Sequence, residues 1–193
     1  MSKKLWSAGV HGNLLAGLDQ ATLRHSQRVQ SLSLIIGDSL GLGSDELDTL
    51  SMGALLHDVG KKNIPTAILF KEAPLSVEDW VAIQQHPIHG WEFVKTNLED
   101  KEVQEMVLHH HLWFDGQGGY PVSLKGVKPG LLTQIASVAD VVDAMTQDRP
   151  YRRAMSIDAA LQFLAEQAGT QFCPDVVEAV RLNLNRIIKL IGA

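Results

Sequence analysis

Residues 44–61 read SDELDTLSMGALLHDVGK. Leu47, Leu50, Ala54 and Leu55 recur at helical spacing behind Ser44, a residue suited to an N-cap, so the stretch predicts an amphipathic helix. The helix runs into His57, Asp58 and Lys61 before Pro65, which has no amide hydrogen to continue it. These three polar residues therefore stand at a helix end. An imidazole beside a carboxylate can supply nitrogen and oxygen ligands to a divalent ion, which makes metal chemistry the reading to carry outward.

On either side the spacing stays helical. Upstream, Leu23, Val29, Leu32, Ile35, Ile36 and Leu40 follow a helical repeat, with His25 near its start and Gly41 placed to end it. Downstream, Ser76 and Asp79 make a variant capping box for a helix through Trp80 and Ile83 toward His86, and Pro87 suits the first turn of the next segment. From Lys101, the positions Val103, Met106, Val107 and His110 follow the i, i+3, i+4, i+7 rule, turning His110 inward with His111 about 100° further round.

Glycines and prolines punctuate Leu112 to Gly130, an irregular segment long enough to be a functional loop. Helical spacing resumes at Leu131, Leu132, Ile135, Ala139 and Val142, which puts Asp140 and Asp143 on one side as i, i+3 neighbours. Ser156 is placed to cap a helix through Leu161, Leu164 and Ala165 that Gly169 ends. Pro174 opens a last amphipathic helix through Val177, Val180, Leu184, Ile187 and Ile191. No alternating run is long enough for a sheet. The expectation is an all-α, compact, single-domain helical bundle: residues 1–18 a lead-in, 19–170 the core with the metal-type residues, and 171–193 the C-terminal helix.

Composition narrows the function classes. The 193 residues suit one core, and 45% hydrophobic residues with a formal charge of -5 give no general attraction for a nucleic-acid polymer. Cys173 is the single cysteine, so an intrachain disulfide and a thiolate-built zinc site are both excluded, and a reducing cytoplasm fits. Leu131 to Met145 is interrupted by Asp140 and Asp143, so this longest apolar stretch falls short of the ~20 residues that cross a bilayer. Gly9, His11, Gly12 and Asn13 break any signal-peptide core after Lys3 and Lys4. The expected location is cytoplasmic, with no membrane contact.

If His25, His86, His110, His111 and Asp140 converge on His57 and Asp58, the set forms a metallohydrolase centre. Asp58 is the candidate bridge, because a carboxylate can give one oxygen to each of two ions, and such a pair activates water for phosphoester hydrolysis. Lys61, three residues on, would reach the same site, and Arg149 with Arg152 would supply guanidiniums for phosphate or a guanine edge. His11, His89, His109 and Lys62 are given no role. Asp143 is read as orienting a ligand and not as one. The glycine-rich loop lacks GxxxxGK[ST] and a preceding strand, which argues against a nucleotide P-loop.

In this order the segments HSQRV from His25, HDVGK from His57, HPIHG from His86, the pair His110-His111, DGQGGYP from Asp115, ADVVDAM with Asp140 and DRPYR with Arg149 and Arg152 resemble the HD-GYP branch of the HD-domain phosphohydrolases. The resemblance covers nearly the whole chain. It implies a phosphodiesterase that opens cyclic di-GMP to pGpG, and in some members onward to GMP, on a centre of iron, manganese or similar ions, with nickel, zinc and magnesium as further candidates. It implies His25, His57, Asp58, His86, His110, His111 and Asp140 as ligands. Asp58 and Lys61 would be catalytic, Lys61, Tyr120, Arg149 and Arg152 would contact substrate, and a signalling protein would dock at the GYP loop.

This sequence departs from the family pattern at four places. Leu112 replaces a glutamate after the histidine pair, and Gln117-Gly118-Gly119 holds one extra glycine. Ala21 stands where trinuclear members have a glutamate, which favours two ions per chain. Cys173 replaces an aspartate that would cap the next helix better by ~1 kcal/mol. Two rivals stand beside the main reading: hydrolysis of another cyclic nucleotide such as cyclic GMP-AMP, and a non-catalytic cyclic-dinucleotide-binding or docking module.

Overall fold

The computed structural model describes residues 14–148 and 152–192. Helix α1 (Gln20–Ser39) begins where the Asp19 carboxylate accepts from the Thr22 amide at 2.9 Å and its hydroxyl at 2.6 Å. It ends two residues before Gly41, whose φ of 78° is strained for any residue with a side chain. Helix α2 (Ser44–Leu56) starts one residue earlier than the serine suggested: Gly43 is the N-cap, and its amide donates to Glu46 at 2.8 Å. The reach-back of Glu46 does the capping, so Ser44 joins the first turn.

Beyond Leu56 the chain does not continue as an α-helix. It tightens into a 3-10 turn (Val59–Asn63), and Ile64 is extended, as a residue before proline prefers. Short helices α3 (Thr66–Leu69) and α4 (Val77–Ile83) follow, the latter opened by the expected Ser76–Asp79 box. Then come α5 (His86–Asn97), with Pro87 in its first turn, and α6 (Lys101–His109), capped by Asp100. After a loop with a second 3-10 turn at Val122–Leu124, α7 (Leu131–Thr146) and α8 (Ile157–Glu166) complete the central part.

The single C-terminal helix expected from the apolar repeat is two helices, α9 (Pro174–Leu182) and α10 (Leu184–Ile191). At Asn183 the side-chain amide donates to the Ala179 carbonyl at 2.9 Å, competing with the main chain, and the backbone turns. Val180 and Ile187 still enter one core, which is why the spacing hid the break. Among the described residues there is no sheet, only isolated bridges at Leu112–Gly119 and Ala168–Phe172. None of their helices is long and apolar enough to cross a membrane.

Two apolar clusters hold the bundle together. The larger joins Val29, Leu32 and Ile36 of α1 to Ile135, Val138 and Val142 of α7 and to Val176, Val180 and Ile187. The smaller joins Met52, Leu56 and Val59 to Val94, Val103 and Val107. Helix α2 serves both, with Leu50 and Ala54 in the first and Met52 and Leu56 in the second. Each fully buried leucine or isoleucine contributes ~1.5–3 kcal/mol, so the end of α2 is firmly anchored. One contact fixes the site directly: a Cβ on Gly60 would lie 2.0 Å from the His86 carbonyl oxygen and 2.4 Å from the Gly90 amide. Only glycine lets the 3-10 turn press against α5, and this brings His86 beside Asp58.

Candidate metal centre

Three histidines are oriented by one device. His57 Nδ1 donates to the Ala54 carbonyl at 2.7 Å, His86 Nδ1 to Ile83 at 2.8 Å and His110 Nδ1 to Val107 at 2.9 Å. These carbonyls belong to the last turns of α2, α4 and α6, where no later amide takes them up. A carbonyl only accepts, so the bonds assign the ring proton to Nδ1 and leave each Nε2 with a lone pair.

Those lone pairs converge. His86 Nε2 and His110 Nε2 are 3.1 Å apart, with no ring proton between them. Burial, with smaller contributions from neighbouring His111 and Lys61, lowers His86 to about 3; burial and His111 push His110 well below the usual imidazole range. Two neutral rings thus direct electron density at each other inside the protein. His57 Nε2 and Asp58 Oδ1 are also buried and have no hydrogen-bond partner among the described residues. Unpaired buried groups of this kind are costly, and one or more cations would satisfy all four atoms at once. The donor set therefore fits divalent metal.

Asp58 lies at the centre. Its Oδ1 is 3.3 Å from His86 Nε2, while Oδ2 is 3.4 Å from His57 Nε2, 3.5 Å from His25 Nε2 and 2.5 Å from Lys61 Nζ. Burial opposes its charge, but Lys61 and then His57 outweigh it and hold the carboxyl well below its ordinary range. His25 comes from α1 and lies between the two carboxylates of α7. Its Nε2 is 3.0 Å from Asp140 and its Nδ1 2.6 Å from Asp143. Burial works against protonation of His25, yet the bonds to Asp140 and Asp143 raise its pKa. Arg28, one turn along, grips Asp143 with Nε at 2.5 Å and Nη2 at 2.9 Å.

Donor atoms of His86, His110 and His111 lie within 4.8 Å of one another, and so do those of His25, His57 and Asp58. With Asp140 beside His25, the seven sequence-predicted ligand residues form one cluster. His111 is set by the loop: the Tyr120 ring stacks on it at 4.3 Å between centroids, and the Tyr120 amide donates to the His111 carbonyl at 3.3 Å. Gly119 makes this return possible, because at φ 85° a Cβ there would lie 1.9 Å from that same carbonyl oxygen. Gly118 sits under the Trp113 ring, where a Cβ would meet the indole at 2.3 Å, so both loop glycines have a steric reason. Leu112, at the glutamate position of the family pattern, is buried and bridged to Gly119. Burial and the nearby Asp140 and Asp58 raise the Tyr120 phenol, which stays protonated.

Other sequence-predicted residues lie elsewhere. Arg152 donates through Nη2 to the Ala144 carbonyl at 2.5 Å, and Arg149 and His11 fall outside the described residues. Lys61 is shared between the cluster and a cavity of about 430 Å³ that opens beside it, walled also by His25, Arg24, Arg28, Phe70 and Trp80. Sequence reasoning missed Arg24, which belongs to none of the motifs, and Phe70 and Trp80, because an aromatic near helical spacing reads as core.

A family model described as an HD domain matches residues 10–176, and the chain belongs to the HD-domain family. Its HDVGK and GYP segments are the ones by which the sequence resembles the HD-GYP branch. It is similar to the cyclic di-GMP phosphodiesterase response regulator RpfG of Xanthomonas campestris pv. campestris (strain 8004), at 34% identity over 165 residues, 84% of this chain and 43% of that protein. It is also similar to the 3'3'-cGAMP-specific phosphodiesterase 3 of Vibrio cholerae, at 33% identity over 174 residues, 90% of this chain and 38% of that protein. The chain thus spans less than half the length of these curated relatives. Among solved structures, Bd1817, a HDG"Y"P protein from Bdellovibrio bacteriovorus, shares the fold, with a TM-score of 0.68 at 22% identity over 85% of this chain and 52% of that one.

Proposed function

We propose that the chain is a metal-dependent phosphodiesterase that opens cyclic di-GMP to linear pGpG. One observation carries the reading: Asp58 turns Oδ1 toward His86, of the donor trio His86, His110 and His111, and Oδ2 toward His25 and His57, with which it makes the second trio. Two divalent ions, of the kinds that mixed imidazole and carboxylate donors accept and with iron or manganese put first by the resemblance to the HD-GYP branch, would make water nucleophilic near neutral pH and offset charge on the phosphoryl group.

The protein's part is orientation and substrate contact. Helix-end carbonyls aim the Nε2 atoms of His57, His86 and His110, while Asp143 does the same for His25. Asp58 and Lys61 are the proposed catalytic pair, and Lys61 presents its ammonium where the cluster meets the cavity. Tyr120, Arg149 and Arg152 are the further proposed substrate contacts. The lone Cys173 is buried and suits a reducing cytoplasm, where this reading puts the reaction.

Hydrolysis of 3'3'-cGAMP is the second reading, favoured by the near-equal identity to a relative of that name. Protein loaded in turn with iron, manganese and nickel, given both dinucleotides side by side, separates the two by the ratio of linear products. Absence of product with every metal overturns the phosphodiesterase reading. Asp58→Asn is expected to abolish turnover while the helical circular dichroism is retained, and persisting activity would remove Asp58 as the bridge.

A further inference from the structure

The cavity beside the cluster holds groups that metal binding does not use. Helix α1 contributes Arg24 and Arg28 to it, and the segment from Lys61 to Ile83 contributes Phe70, Lys71 and Trp80. Lys61, Arg28 and Lys71 are already engaged with Asp58, Asp143 and Asp79. Arg24 is exposed and makes no ion pair or hydrogen bond among the described residues. Phe70 and Trp80 leave 46% and 50% of their surface in water, although both are large aromatics on the wall of a recess.

We infer that this cavity seats one nucleobase of the cyclic dinucleotide against Trp80 and Phe70, with Arg24 binding the phosphate that is not being cleaved. The inference rests on the phosphodiesterase reading. A cyclic dinucleotide carries two phosphates, so when one lies at the ions the other needs a cation outside the cluster. Arg24 precedes His25 on the same helix, and both residues line the cavity, so the guanidinium is carried at the edge of the cluster. A purine presents a flat face that stacks on aromatic side chains whatever its edge groups, and a cavity of about 430 Å³ is in the range of small-ligand sites. Arginine suits a phosphate better than lysine because its planar fork can donate twice.

Steady-state kinetics on the manganese-loaded full chain tests this with cyclic di-GMP and with methyl p-nitrophenyl phosphate, which has no base and no second phosphate. Trp80→Ala is expected to raise KM for cyclic di-GMP roughly tenfold with kcat retained, as loss of one base stack would. Trp80→Phe should recover most of that loss. Arg24→Gln should raise the same KM, and neither variant should alter hydrolysis of the small diester. An unchanged KM for cyclic di-GMP in both variants overturns the inference and leaves the phosphodiesterase reading standing, as does an equal loss on both substrates. Wild-type protein that cleaves the small diester but no cyclic dinucleotide overturns both the inference and the cyclic-dinucleotide substrate on which it rests.

Discussion

Asp143 shows how much one side chain outside the ligand set can decide. It holds His25 Nδ1 at 2.6 Å and is itself clamped by Arg28, so it fixes the direction in which His25 Nε2 points. Asp143→Ala is expected to weaken metal binding roughly 10–100-fold, the usual effect of removing a ligand's orienting partner. Chelator competition would measure it, and an unchanged affinity would show that packing alone orients the ring. The sequence made much of this legible, since the i, i+3 placement of Asp140 and Asp143 already put both carboxylates on one side of α7. It did not reveal the partner of Arg152, because a guanidinium near a helix end finds carbonyls as readily as phosphates, and Ala144 supplies one. Nor could spacing separate Trp80 from a core residue, as exposure depends on what packs opposite.

At the scale of elements, the caps and glycines were readable because each acts within a few residues. The Ser76–Asp79 box and Gly41 are examples. The break at Asn183 was not, since the apolar repeat passes straight through it. Cys173 corrects a simpler view of capping: it is the N-cap of α9 without a side-chain hydrogen bond, yet its thiol packs in the main core with Phe172 and Val176. An aspartate there would add a cap at the expense of a buried charge. Gly60→Ala is the sharper experiment. The new methyl would strike main-chain atoms of His86 and Gly90, so a stability loss of about 1–3 kcal/mol in urea unfolding is expected, as for other overpacked positions. Metal affinity should fall with it, because His86 can relieve the clash only by moving from Asp58; retained affinity would mean the turn and α5 move together.

For the whole molecule the buried imidazoles set a pH dependence. In the unfolded chain His86 and His111 take protons near pH 6.5, whereas in the fold burial keeps them neutral down to about 3 and about 4. The unfolded state therefore binds more protons in that interval, and metal-free protein is expected to lose thermal stability as the pH falls from 6.5 toward 4. Asp58 and Asp140, whose partners outweigh burial, extend the loss at lower pH, as their stabilisation disappears on passing through their depressed pKa values. His25 acts in the other direction: its raised value contributes stability that is full below 6.5 and is lost as the pH rises through the folded pKa. Melting curves of metal-free protein across this range, flat or rising toward acid, would contradict the balance. Manganese in excess should raise the melting temperature with its concentration, by linkage of binding to the native state.

The glycine contact at the centre has a consequence for how such a protein can change. Residues 61–89 leave and return at the neck where Gly60 meets Gly90, and the aromatic wall of the cavity lies on that excursion. The neck pins Asp58 and His86 together whatever the excursion carries at its outer end. The stretch between Lys61 and His86 can thereby vary without moving Asp58 or His86, so new guests could be accommodated by rewriting the aromatic wall of the vestibule while the groups at the neck keep their places.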